Sequence, residues 1–222
     1  MINQNASLIF DLDGTLIDSA KDIQWVANKA LSEIGATPIS YEEAVSFIGE
    51  GAPIFVKKMI VARSIESSKH DFLLEQFLKF YEDAVQFTEP YENVVPVLEI
   101  LNSRHKLGLC TNKPLKPALK ILKHLKLDHF FKCITGGDSS FGRKPDPSPL
   151  LNTSASVGDG LCIYVGDSEV DAETAQRADV PFLLFTDGYR KTPIEEIPHT
   201  YSFSSFSKLP ELVEKILENT NR

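Results

Sequence analysis

The stretch SLIFDLDGTLID at residues 7–18 decides how the rest of the chain is read. A short apolar run at 7–10 reads as a buried strand, and it stops at Asp11. Two carboxylates, Asp11 and Asp13, then stand one residue apart, a spacing that lets them flank one reacting centre. Gly14 follows and permits a tight turn whose backbone N–H groups can face an anion. A calcium-binding EF-hand loop is excluded. Its glycine is sixth and its glutamate twelfth, whereas Gly14 is fourth and Asp22 twelfth from Asp11. A plain Asp-Gly turn stays open, although such a turn has no need of Asp11.

Working outward, apolar runs at 106–110, 131–135, 161–165 and 182–185 read as further strands. Helix-length segments at 114–125, 148–157 and 169–178 lie between them. In the first segment Leu115, Ala118, Leu119, Leu122 and Leu125 recur at helical spacing. This alternation predicts an α/β fold: a Rossmann-like parallel sheet core with helices on both faces. The interval from 17 to about 87 differs, because only helical patterns occur, at 18–34, 41–47, 53–63 and 67–87. The last carries an apolar stripe of Phe72, Leu73, Phe77, Phe80 and Tyr81. Such a block is too long for a simple crossover. It predicts an all-helical insertion at 17–89, with the core formed by 1–16 and 90–222 and a hinge at 88–91. A single continuous fold is the alternative.

In doubly wound sheets ligands bind at the carboxyl ends of the strands, so residues just past each strand carry the functional reading. Past the second strand stand Thr111, Asn112 and Lys113. A hydroxyl, an amide and free N–H groups at a helix start form an anion site, or Thr111 or Asn112 simply caps the helix. Past the third comes GRKPDP at 142–147, which is not a Walker A loop, because Arg143 precedes Lys144 and Pro145 follows it. Its prolines could aim Lys144 inward, or Lys144 is an ordinary surface lysine. Past the fourth come Asp167 and, one helical turn on, Asp171, a site pair or an ordinary helix cap. Together Asp11, Asp13, Asp167 and Asp171 would put a formal charge of −4 into one crevice, which repels itself. Lys144 and a divalent cation would supply +3. Oxygen ligands at that density select a hard ion, Mg²⁺.

Composition narrows the field further. The 222 residues are 42% hydrophobic, enough for a sizeable core, and the net charge of −8 argues against nucleic-acid binding. The three cysteines, Cys110, Cys133 and Cys162, are widely spaced within apolar runs. They read as core thiols, not as a disulfide framework or a zinc site. The segment MINQNASLIF lacks a basic leader region. No apolar stretch approaches the roughly 18 residues of a membrane span. The expected address is the cytoplasm, with neither membrane nor nucleic acid as partner.

Four ordered segments carry a resemblance. LIFDLDGTLIDS at 8–19, LCTNKP at 109–114, GRKPDP at 142–147 and YVGDSEVDAETA at 164–175 resemble the motifs of the haloacid-dehalogenase-like hydrolase superfamily. Within it, the GDS-x-x-D ending, Thr186-Asp187-Gly188-Tyr189 and Ile48-Gly49-Glu50-Gly51 are similar to the phosphoglycolate phosphatase-like subgroup. The resemblance implies a C1-type helical cap over the core. It implies Asp11 as nucleophile, forming an aspartyl-phosphate, and Asp13 as general acid and base. Thr111 and Asn112 would hold the phosphoryl oxygens, with Gly14 and Thr15 beside them and Gly49 and Gly51 reaching in from the cap. Lys144 would neutralise Asp11 and the phosphoryl group. Mg²⁺ would be held by Asp11, Asp167 and the backbone carbonyl of Asp13, with Asp171 acting from behind these ligands or through a water.

Dehalogenase members lack an acid two residues past the nucleophile, and the P-type ATPase branch carries Thr there, so Asp13 favours a phosphatase or a phosphomutase. The implied reaction is hydrolysis of a small phosphomonoester, 2-phosphoglycolate first, by a monomer or homodimer. Alternatives are a phosphatase for another small metabolite or a nucleotide, a pyrophosphatase, a hexose-phosphate mutase, and a non-catalytic phosphate-ligand binder. Lys57, Lys58 and Arg63 are candidates for a substrate carboxylate, or form a solvated helix face.

Overall fold

The computed structural model describes residues 5–220; residues 1–4 and 221–222, which include the start of the segment read above for a leader, lie outside the described residues. The first half of the chain forms β1 (Ala6–Phe10), β2 (Ile17–Asp18), α1 (Ala20–Ser32), α2 (Tyr41–Phe47), α3 (Ala52–Ala62), α4 (His70–Tyr81), β3 (Glu89–Pro90) and α5 (Val94–Asn102). The second half forms β4 (Lys106–Cys110), α6 (Leu115–His124), β5 (Cys133–Thr135), α7 (Ser148–Val157), β6 (Leu161–Gly166), α8 (Glu169–Ala178), β7 (Phe182–Phe185), β8 (Tyr201–Phe203) and α9 (Leu209–Thr220).

Six strands make one parallel sheet in the order β5-β4-β1-β6-β7-β8. Strand β1 lies inside it and is buried along its whole length, because successive side chains alternate between two covered faces. Leu8 and Phe10 join an apolar cluster with α5, α6 and α9, while Ile9 joins another with α7 and α8. The sheet is therefore covered by helices on both sides, as the alternating pattern predicts.

Helices α1 to α4 build a third apolar cluster of their own. In α1 the buried positions Ile23, Val26, Ala27, Ala30 and Leu31 follow the 3.6-residue period. Ser40 and Glu43 exchange hydrogen bonds as a capping box that starts α2. The rings of Phe55, Phe77 and Tyr81 pack in sequence across α3 and α4, the first pair tilted and the second edge-on. The chain passes between the sheet and these helices through two short strands. Ile17 pairs with Pro90 and Asp18 with Glu89, antiparallel, so the segment expected to be a bare hinge is half of a two-stranded ribbon.

Several expected bounds shift, each for a local reason. The strand expected at 131–135 begins only at Cys133, because a 3-10 turn at Asp128–Phe130 precedes it and Phe131 turns into the core. The helix expected at 67–87 stops at Tyr81, and its buried stripe is Leu73, Phe77 and Tyr81, with Phe72 exposed. Beyond it Asp22 accepts hydrogen bonds from the amides of Gln86 and Phe87 at 3.2 and 3.0 Å and from the Thr88 hydroxyl at 2.6 Å. In α6 the buried face is Pro117, Ala118, Ile121 and Leu122, which leaves Leu115 and Leu119 outside. Helices α5 and α9 and strand β8 are elements the sequence reading does not identify. The cysteines are free thiols, Cys110 buried and the other two half-buried. Among the described residues no helix is long and apolar enough to cross a membrane.

Asp22 is buried and ties α1 to the returning chain just before β3. Asp22→Ala strips three donors of their acceptor and is expected to lower unfolding free energy by about 2–4 kcal/mol. Urea denaturation measures this, and a loss under about 0.5 kcal/mol would contradict the role assigned to Asp22.

Candidate active site

Three neighbouring strands, β4, β1 and β6, end at Thr111, Asp11 and Asp167. The loop between β5 and α7 adds Lys144, and the first turn of α8 adds Asp171. Lys144 is buried, which disposes of the surface-lysine alternative. Its Nζ lies 2.7 Å from Asp11 Oδ1 and 2.6 Å from Asp171 Oδ1, and donates to the Tyr164 hydroxyl at 3.0 Å. Tyr164 donates in turn to Asp171 Oδ1 at 2.7 Å. Asp171 Oδ2 accepts from the amide and hydroxyl of Ser168 at 3.2 and 2.7 Å, and from the Asp167 amide at 3.3 Å. Asp171 thus caps its helix and pairs with Lys144 as well, and its lone pairs are spent.

Asp167 accepts one hydrogen bond on each oxygen, from Thr15 Oγ1 at 2.7 Å and from the Tyr189 amide at 2.6 Å, and keeps a lone pair on each. Thr15 is fully buried and serves Asp167, not the open cleft where a substrate oxygen was expected. Gly14 likewise does not offer its N–H to an anion, because that group is bonded to the Ile17 carbonyl at 2.9 Å. Its conformation has φ +89, and a Cβ there would sit 2.5 Å from Asp167 Oδ2. Glycine at 14 is required by the closeness of Asp167.

Burial sets the charge states and the neighbours divide them. Desolvation raises the Asp11 pKa to about 7 from its ordinary 3.8, against the pull of Lys144 and with the Asp171 charge adding to the rise. Asp167 is raised well above the usual carboxylate range by burial and then by Asp171 and Asp11. Asp171 is lowered: burial opposes its charge, but Lys144, Ser168 and Tyr164 outweigh that. Lys144 is raised, because the attraction of Asp11 and Asp171 exceeds the cost of burying it.

The carboxylates of Asp11, Asp167 and Asp171 lie within 4.8 Å of one another. They fit a hard divalent cation. The donors are all oxygen, Asp11 Oδ1 receives no hydrogen bond of normal geometry although Lys144 is near, and Asp167 has lone pairs to give. The carboxylate of Asp13 does not belong to this cluster, so only its backbone carbonyl remains for the ligand role expected of it. Asp13 Oδ1 accepts from the Ser19 hydroxyl at 2.5 Å and from Lys113 Nζ at 3.0 Å.

Asp11 and Asp13 share a pocket of about 40 Å³ with Thr111, Asn112, Lys113 and Lys144. Gly49, Gly51, Phe55, Phe77 and Tyr81 close it from the helical insertion. Neither Thr111 nor Asn112 caps α6; Asp138 takes the Leu115 amide instead, at 2.8 Å. Thr111 Oγ1 accepts from the Lys113 amide at 3.2 Å. The Asn112 side chain is committed to a stitching role. Its Nδ2 donates to the carbonyls of Gly49 and Lys144 at 2.9 and 3.1 Å, and its Oδ1 accepts from the Lys144 amide at 3.0 Å. It therefore fixes the loop that carries Lys144 and the edge of the insertion, and its amide is not free for a phosphoryl oxygen. Lys58 and Arg63 pair with Glu50 and Glu43, and Lys57 is exposed, so none of the three reaches the pocket.

Four residues that sequence reasoning passed over matter here. Lys113 and Tyr81 meet beside Asp13, and Tyr164 closes the Lys144 triangle. The Tyr189 hydroxyl accepts from the amides of Ser19 and Ala20 at 2.8 and 3.0 Å and donates to Asp18. Lys113 had a signal, a cation following Thr-Asn at a helix start. Tyr164 and Tyr189 had one in the motif segments that contain them, without a role for their hydroxyls, and Tyr81 had none, since an aromatic in an apolar helix stripe reads as packing.

The chain is similar to known proteins along most of its length. The family model described as haloacid dehalogenase-like hydrolase matches residues 8–185. A phosphoglycolate phosphatase of Cereibacter sphaeroides is 41% identical over 214 residues, covering 95% of this chain and 98% of its own. One of Rhodobacter capsulatus is 39% identical, covering 94% and 96%. The crystal structure of a protein from Haemophilus somnus, titled a predicted phosphoglycolate phosphatase, superposes with a TM-score of 0.89 at 27% identity, covering 96% of this chain and 100% of that one. A match of this extent to the family model, carried on a sheet whose strand ends gather these carboxylates, makes the chain a member of the haloacid dehalogenase-like hydrolases.

Proposed function

We propose that the protein is a Mg²⁺-dependent phosphatase that hydrolyses a small phosphomonoester, 2-phosphoglycolate first, to the alcohol and phosphate. The observation that carries this reading is Asp11. It is buried at a strand end, its Oδ1 lies 2.7 Å from the Lys144 ammonium group, and it shares a small pocket with a second carboxyl, Asp13. Binding alone calls for cations and N–H donors, not for a carboxylate aimed at the anion.

In this reading the Asp11 carboxylate attacks phosphorus and forms an aspartyl-phosphate, while the departing alkoxide takes a proton from Asp13. Asp13 then takes a proton from water, which attacks phosphorus and frees Asp11 and inorganic phosphate. Ser19 and Lys113 hold the Asp13 carboxyl in place. Lys144 screens Asp11 so that two anions can approach. The Thr111 hydroxyl is the side-chain donor for the transferring oxygens. Asp11 and Asp167, with Asp171 behind them, would hold Mg²⁺, which would supply positive charge to offset that of the phosphoryl oxygens while Asp11 faces phosphorus. Helices α1 to α4 act as a cap that closes over the site and excludes bulk water. The small pocket and its apolar lid support a small ester over a sugar phosphate or nucleotide. Cytoplasmic location and a monomer or homodimer complete the reading.

Asp11→Asn is expected to lower turnover of an aryl phosphate by at least about a thousandfold in saturating Mg²⁺. Turnover within tenfold of the parent protein would sink the covalent route. EDTA is expected to stop the reaction and excess Mg²⁺ to restore it, read as phosphate release; full activity in EDTA would reject the metal.

Stability without metal carries a sign set by Asp11. A carboxyl raised to about 7 in the folded state binds more protons folded than unfolded. Metal-free stability should therefore fall as pH rises from about 4 to about 7. Thermal unfolding at pH 5 and pH 7.5 checks this. Added Mg²⁺ should raise the midpoint more at pH 7.5 than at pH 5, and the reverse order would contradict the assignment.

A further inference from the structure

We infer that Lys113, seated against Tyr81 of the insertion, reads an anionic substituent on the leaving group and so sets a preference for a carboxylated ester over a neutral one. The inference rests on the phosphatase reading above and adds to it the residue that recognises the rest of the substrate.

Two cations line the pocket, Lys144 and Lys113. Lys144 sits between Asp11 and Asp171, at the place where the phosphoryl group meets the nucleophile. Lys113 lies at the other end of the Asp11–Asp13 pair. Its Nζ reaches both oxygens of Asp13, at 3.0 and 3.3 Å, and donates to the Tyr81 hydroxyl at 2.6 Å. It also stands 4.1 Å from the centroid of the Tyr81 ring. Burial holds the Tyr81 phenol well above its ordinary pKa, with Asp13 adding to the rise, so it stays neutral and its oxygen accepts from the ammonium group.

The position matches the reaction. The ester oxygen of the substrate sits within hydrogen-bond reach of Asp13, because Asp13 gives it a proton. An ammonium group bonded to the same carboxyl then lies beside the first atoms beyond that oxygen. In glycolate a single carbon separates the ester oxygen from the carboxylate, so the carboxylate arrives next to Lys113. The other walls there are Ile23, Phe47, Ile48, Phe55 and Phe77, which offer no countercharge. The basic side chains at 57, 58 and 63 are exposed or paired with glutamates. A neutral leaving group would face the same apolar walls but leave the ammonium group without a second anion.

The test compares kcat/KM for 2-phosphoglycolate with that for ethyl phosphate, which puts a methyl group where the carboxylate stands. The unaltered enzyme should prefer phosphoglycolate by about a hundredfold. Lys113→Met should cut that ratio by at least about tenfold, chiefly through KM for phosphoglycolate, whatever it costs both esters through Asp13. Tyr81→Phe removes one oxygen and keeps the ring. It should lower the ratio about threefold or more, and it decides the matter if circular dichroism shows Lys113→Met unfolded. An unchanged ratio in the folded variants would overturn the role of Lys113 while leaving phosphoglycolate hydrolysis standing. A ratio near one in the unaltered enzyme would overturn the role of Lys113 and also the place of 2-phosphoglycolate as first substrate.

Discussion

Lys144 carries one positive charge into a space where three carboxylates already meet, and the arrangement of the site follows from that imbalance. Its ammonium group is shared by Asp11 and Asp171 and steadied by Tyr164. Asp171, with every lone pair engaged, stays ionised, while Asp11 and Asp167 pay for burial with raised pKa values. Counting Asp13 and its partner Lys113, four carboxylates face two lysines. The remaining charge of two negatives, if all ionise, is what one divalent cation removes. Charge compensation, more than any single contact, explains why an acidic chain can hold a phosphate ester.

The same residues tie the sheet to its helical insertion. Asn112 bonds Gly49, Lys113 bonds Tyr81, Lys191 donates to the Ile48 carbonyl at 3.1 Å, and Tyr189 holds Ser19 and Ala20. These are polar stitches across a seam whose two sides have separate apolar clusters. Two of them come from the loop after β4 that also supplies Thr111 to the pocket. One short run of backbone thus carries both pocket residues and bonds to the helical insertion, so a change that loosens the seam also disturbs the residues around Asp13.

Much of this was legible in residue order. Strand β1 was visible as an apolar run ending in two aspartates. Asp11, Lys144, Asp167 and Asp171 were visible because strand ends in this architecture converge. What the pattern could not give was direction. Thr15 turns to Asp167 and the Asn112 amide turns to Gly49 and Lys144, though both types suit a phosphate equally well. Polar side chains near a site divide between touching substrate and holding its neighbours, and one-dimensional spacing does not separate the two. Tyr164 and Tyr189 escaped for a related reason. Their rings pack as core residues while their hydroxyls serve the site. Helix α9 lies beyond the last motif, although Leu209, Val213, Ile216 and Leu217 mark its buried face at helical spacing.

The charge account is tested most directly by counting protons released when Mg²⁺ binds. Calorimetric titrations at one pH in buffers of different ionisation enthalpy give that number. At pH 6.5 Asp11, with its pKa near about 7, is mostly protonated without metal. Binding to Asp11 and Asp167, both raised by burial, should then release at least about half a proton, and the number should fall as pH rises. Equal binding with no proton release at pH 6.5 would show that Asp11 and Asp167 are already ionised without the cation, so that burial does not hold their protons on, and the account would fail.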